Sequence, residues 1–162
     1  MTTYHLLQQK LNSLLGIEAR LIDVLPDVTK FVENQRLQHL LEYHVSQTRY
    51  RHDQLITLTI VDLEVVPCAP IHSVIVDLRH VIEAQPERTS GEPLLANKLR
   101  LLKGYQAAAY SQARWYALTL GYTRLSAFLE TAWWQEKTME TALANLVTAS
   151  VAAHSNEVHQ TL

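Results

Sequence analysis

Residues 109–143 read AYSQARWYALTLGYTRLSAFLETAWWQEKTMETAL. Ala109, Ala113, Tyr116 and Leu120 recur every three or four residues, Gly121 interrupts, and Leu125, Leu129, Ala132, Glu136 and Leu143 resume the same period beyond it. Two apolar stripes at helical spacing, separated by a glycine, predict two helices joined by a tight turn. Extended outward, the first of these becomes a segment over 94–120, with Leu95, Leu102 and Gln106 in register. The second spans 123–153 and reaches Leu146.

Upstream the same period appears twice more. A segment over 3–25 carries Leu7, Leu11, Leu14, Glu18, Leu21 and Leu25, and Pro26 closes or kinks it. A segment over 34–58 carries Leu37, Leu40, Leu41, His44, Val45, Thr48, His52 and Leu55. Between the two pairs, Val74, Ile75, Leu78 and Val81 predict a short packing helix over 71–84. Loops are predicted at VPCAP, 66–70, and QPERTSGEP, 85–93. With only 4 Gly and 5 Pro in 162 residues the chain turns rarely. Four helices of about 25 residues, each close to 40 Å long, have the proportions of a four-helix bundle. The long connection between the second and third crosses the bundle from end to end, as in ferritin-like folds. The expectation is one all-α domain over 1–162.

Each long helix breaks its apolar stripe near the middle: Glu18, His44 with Thr48, Gln106 and Glu136. In a bundle these breaks meet at one level, and because an isolated buried charge is costly they must satisfy one another.

Composition removes several functions. Lys and Arg total 14 against 16 Asp and Glu, a net charge of −2, so no basic field is available for a phosphate backbone or an anionic membrane. The longest mildly apolar run, 142–153, is shorter than the roughly 20 residues that span a bilayer. A lone cysteine, Cys68, and an N-terminus without a continuous apolar stretch lead to the expectation of a cytoplasmic protein. Cys68 has only His72 nearby, which gives no nucleophilic triad, and neither GxGxxG nor GxxxxGK[ST] occurs. The run TRYRH at 48–52 reads as a solvated helical face too short for RNA. Trp133 and Trp134 stand about 100° apart around their helix, so both cannot enter one core. One is expected to face a partner subunit with Trp115 and Tyr116; partial burial beneath the crossover is the other arrangement.

Three stretches, LLGIEARLIDVLP at 14–26, HVSQTRYRHDQL at 44–55 and the opening 109–143 sequence, resemble the YciE/YciF family of ferritin-like bacterial stress proteins. The resemblance implies a ferritin-like four-helix bundle, a homodimer and, in typical members, a carboxylate-rich dimetal centre between the helices. In that register Glu18, His44, Glu136 and Glu140 keep ligand positions. The second-helix glutamate is replaced by Gln47, and the third-helix pattern E-H/Q-Y-E reads Lys103, Gly104, Tyr105 and Gln106. A dimetal site in such bundles takes about four carboxylates and two imidazoles, which this chain does not supply. The remnant site therefore predicts no cofactor; the alternative is iron or manganese.

Two arrangements are open for Lys103. Its ammonium takes the place of the metal, bridging Glu18 and Glu136 while Gln47 and Gln106 complete the hydrogen bonds. Otherwise Lys103 extends to solvent, Glu18 is protonated or hydrogen-bonded, and Glu136 lies in water. Two functions correspond to these: a non-catalytic bundle acting through its surface in stress physiology, as a homodimer or with another protein, or a metal-handling protein or oxidoreductase in which Glu18, His44, Glu136 and Glu140 hold iron, manganese or zinc.

Overall fold

The structure, a computed structural model, describes residues 1–58, 68–84 and 88–160, without the side chains of 88–90 and 154–160. Five helices follow in order: α1 (Thr3–Phe31), α2 (Gln35–Leu58), α3 (Ala69–Ala84), α4 (Arg88–Thr119) and α5 (Thr123–Gln160). Residues 66 and 67 of the first expected loop, and 85–87 of the second, lie outside the described residues. No helix among the described residues is long and apolar enough to cross a membrane.

Four expected boundaries move, two of them simply: α3 takes in Ala69 and Pro70 of the first expected loop, and α5 runs past 153 to Gln160. α1 does not end at Pro26 but continues to Phe31. Val28, Phe31 and Val32 extend the buried stripe of Leu21 and Leu25 on the same face, and their burial outweighs the hydrogen bond that proline cannot donate. α4 starts at Arg88 rather than Leu94, with Pro93 inside it. Its first turns are fixed by Glu92, whose carboxylate accepts from the backbone N–H of Glu33 and, at 3.0 Å, of Asn34. Asn34 in turn caps α2, its Oδ1 accepting from Leu37 N–H at 3.1 Å.

The Gly121 boundary is a Schellman turn. Gly121 has φ 76°, Tyr122 N–H donates to the Ala117 carbonyl at 2.9 Å, and Gly121 N–H donates to that of Leu118 at 3.0 Å.

Pairings between helices give the topology. Arg114 of α4 meets Glu130 of α5, and Gly104 lies against Glu140, so α4 and α5 are antiparallel. Glu92, near the start of α4, reaches the α1–α2 turn, so α4 runs parallel to α2. This is the end-to-end crossover of a ferritin-like bundle. Along the crossover, α3 packs on α1 and α4, with Lys98 Nζ 2.6 Å from Asp77 Oδ2 and Cys68 Sγ 3.4 Å from the Tyr105 hydroxyl.

The core has two apolar parts. One, toward the α1–α2 turn, includes Leu21, Leu41, Leu99, Leu102 and Leu143 with the inner face of α3. The other, toward the α4–α5 turn, includes Leu11, Leu14, Leu55, Ala113 and Leu129. Between them lies a layer of buried polar side chains contributed by α1, α2, α4 and α5.

Candidate functional site

The layer contains Glu18 of α1, His44, Thr48 and Arg51 of α2, Lys103 and Gln106 of α4, and Glu136 of α5, all buried, with Tyr110 on its edge. Each long helix supplies at least one of them because each interrupts its apolar stripe at the same height, and the bundle brings the interruptions together.

Arg51 is the centre of the arrangement. Its Nε lies 3.1 Å from Glu18 Oε1 and its Nη2 2.6 Å from Glu136 Oε1. Its Nη1 donates to Gln135 Oε1 at 3.2 Å, and Nη2 also reaches Thr48 Oγ1 at 3.5 Å. Burial works against the guanidinium charge, but the carboxylates of Glu18 and Glu136 outweigh it and raise the pKa above the usual arginine value.

Lys103 is fully buried beside it. Its three donors have three acceptors: Glu136 Oε2 at 2.6 Å, Gln106 Oε1 and His44 Nε2. Burial lowers its pKa, Glu136 raises it and Arg51 lowers it again, leaving it at about 8. For His44 to accept at Nε2 the imidazole must be neutral. Burial first, then the charges of Lys103 and Arg51, hold its pKa well below 6.5.

Glu18 Oε1 accepts three bonds: from Arg51, from Gln106 Nε2 at 3.1 Å and from the Tyr110 hydroxyl at 2.6 Å. Burial, followed by the nearby Glu18 charge, raises the Tyr110 pKa well above 10. Glu18 Oε2 and Gln47 Oε1 are buried without a hydrogen-bond donor. Formally the layer is neutral, with two carboxylates against one guanidinium and one ammonium.

The sequence-based expectations are partly met. Glu18, His44, Lys103, Gln106 and Glu136 do converge, and Lys103 binds Glu136. The cation that bridges Glu18 and Glu136, however, is Arg51 and not Lys103. A reach one atom longer and a planar fork of several donors suit the guanidinium to two carboxylates on different helices, whereas the ammonium uses its donors on Glu136 and two neutral acceptors. Neither the solvent-directed Lys103 nor the hydrated Glu136 of the other arrangement occurs, since both are buried.

Gln47 does not complete the network; it is half-buried, and its carbonyl oxygen has no donor. Glu140 stands apart from the layer, 26% exposed, 2.7 Å from Lys137 and packed over Gly104, where an added Cβ would meet its Oε1 at 3.3 Å. The expectation of a solvated TRYRH face fails at Arg51, which is 1% exposed. Its signal was legible: Leu37, Leu41, His44, Thr48, Arg51 and Leu55 alternate four and three apart, and Arg51 falls on that line while His52 falls off it.

The residues present do not fit a dimetal centre. Glu18 Oε1 and both oxygens of Glu136 already bind cations of the chain itself, and a divalent ion would have to share them with a guanidinium and an ammonium at close range. Among the described residues, no three His, Cys, Asp or Glu side chains form a group able to hold a metal ion.

Solved structures share this architecture. The stress protein YciF of E. coli superposes with a TM-score of 0.87 at 18% identity, covering 94% of this chain and 98% of that one. YcfI from Rhodopseudomonas palustris, for which a structural role has been suggested, superposes with a TM-score of 0.82 at 21% identity, covering 89% of this chain and 94% of its own. No curated protein sequence matches significantly. At these identities the likeness speaks for a shared YciF-like fold, and the sequence itself adds the family: over residues 2–156 it matches the domain of unknown function DUF892, so the chain belongs to that family.

Proposed function

We propose that this chain is a ferritin-like bundle whose ancestral dimetal site has become a salt-bridge layer, and that it acts in stress physiology without catalysis, through its surface, as a cytoplasmic homodimer or with a protein partner. One observation carries the reading: the two retained interior carboxylates, Glu18 and Glu136, are neutralised by Arg51 and Lys103. With Glu18 Oε1 and both oxygens of Glu136 engaged by the chain's own cations, the layer serves to hold four helices in register. The stress context is supported by the likeness to YciF, a stress protein.

Elemental analysis of protein purified after growth with excess iron tests the reading. Substoichiometric iron, manganese and zinc is the expected result. A stoichiometric metal that disappears in Glu18→Ala or Glu136→Ala would establish instead the metal-handling function built on Glu18, His44, Glu136 and Glu140.

A further inference from the structure

α2 carries a second stripe beside its buried one. Leu40, Tyr43, Gln47, Tyr50 and Gln54 repeat three and four apart, as the core-facing residues do, with Tyr43 and Tyr50 exposed and Leu40, Gln47 and Gln54 half-buried along the flank of the helix. Tyr43 is 55% and Tyr50 53% exposed. They border the seam with α5, where two hollows of about 260 and 220 Å³ lie end to end. Leu40, Tyr43, Trp134 and Met139 are among the residues around the first, Tyr50, Gln54 and Phe128 among those around the second, and no charged side chain lines either. A solvated helix face of this length ordinarily carries charge, and a contiguous neutral, aromatic-bearing seam marks a contact surface.

The pattern of α2 also selects the occupant. Tyr43 and Tyr50 are equidistant from a centre near Ser46, and so are Leu40 and Gln54 to within about one residue. Of the exposed charges beside the stripe, Glu42 before that centre and Arg49 after it share the centre with opposite sign across it. A two-fold contact requires such self-complementarity, since each residue on one copy meets its counterpart's neighbour on the other.

We infer that α2 packs antiparallel against α2 of a second copy of this chain about a two-fold axis near Ser46. Each Tyr43 then lies beside the Tyr50 of the second copy over the hollows, and Glu42 faces the Arg49 of the second copy, twice by symmetry. Tyrosines at the centre with ion pairs at the rim is the usual division of an interface into anchoring and steering groups. The inference rests on the homodimer reading above and assigns its surface.

Sedimentation equilibrium tests it. The parent chain is expected to dimerise, and Glu42→Arg, which sets two like-charged pairs in opposition, to weaken dimerisation at least about tenfold. Combining Glu42→Arg with Arg49→Glu restores opposite charges and is expected to recover the parent affinity to within about threefold. Both positions are exposed, so unchanged circular dichroism melting of the isolated protomer is expected, and Trp115→Ser on α4 should leave the dimer intact. A parent chain that stays monomeric overturns the homodimer reading together with this surface. A dimer indifferent to Glu42→Arg, unrescued by the double change, or broken by Trp115→Ser overturns the α2 assignment alone.

Discussion

Arg51 and Lys103 show how a buried charge is tolerated: every donor that matters has an acceptor within reach, and the layer as a whole is neutral. Truncating one member strands the others. Arg51→Ala is expected to cost about 3–5 kcal/mol in urea unfolding, because Glu18 and Glu136 lose their shared cation in the interior, whereas Arg36→Ala on the exposed start of the same helix should stay within about 0.5 kcal/mol. The layer also fixes a pH profile. His44 stays neutral in the fold but takes a proton below 6.5 when unfolded, so stability falls as pH drops through that value. Folded Lys103 gives up its proton from about 8 while the unfolded side chain holds it to 10.5, so its contribution rises with pH over that interval. Tyr110 acts in the opposite sense above 10, where the unfolded phenol ionises and the folded one does not. Melting temperatures across pH 5–11 are therefore expected to climb from acid, rise again beyond about 8 and turn down above about 10. The middle rise should vanish in Lys103→Met and the acid loss should shrink in His44→Gln.

At the scale of elements, helix ends and interruptions are controlled by different forces. Asn34 caps α2 with a single side-chain bond to Leu37 N–H, so Asn34→Ala is expected to lose about 1 kcal/mol, measured by thermal or chemical unfolding. Glu92 holds the neighbouring turn from the other chain segment, which is why α4 begins before its proline. Pro26 is the reverse case, since packing of Val28 and Phe31 carries α1 through a residue that local chemistry disfavours. Pro26→Ala restores the missing N–H without disturbing that face and is expected to raise stability by about 1 kcal/mol or more, read from the same unfolding curves.

For the whole molecule, the balance of charge inside the bundle decides what it can bind. Adding Gln47→Glu, Lys103→Glu and Gln106→Glu rebuilds the acids implied by the YciE/YciF resemblance but leaves the Arg51 guanidinium between Glu18 and Glu136. That triple variant is expected to remain metal-poor, and only the further change Arg51→Leu should allow a stoichiometric divalent ion, as checked by elemental analysis after dialysis against iron or manganese. Metal uptake by the triple variant with Arg51 in place would show that the guanidinium is easily displaced.

The all-α class, the crossover and the level at which polar residues meet follow from the sequence, because helical periodicity is local and the interruptions at Glu18, His44, Gln106 and Glu136 can be counted along it. The partners within the layer are a different matter. Arg51 and Lys103 both lie on inward positions, and only the packed helices decide that the longer, forked cation spans Glu18 and Glu136 while the shorter one settles on Glu136 and two neutral groups. Reach and direction across four helices are properties of the assembled interior, and spacing along one helix contains neither.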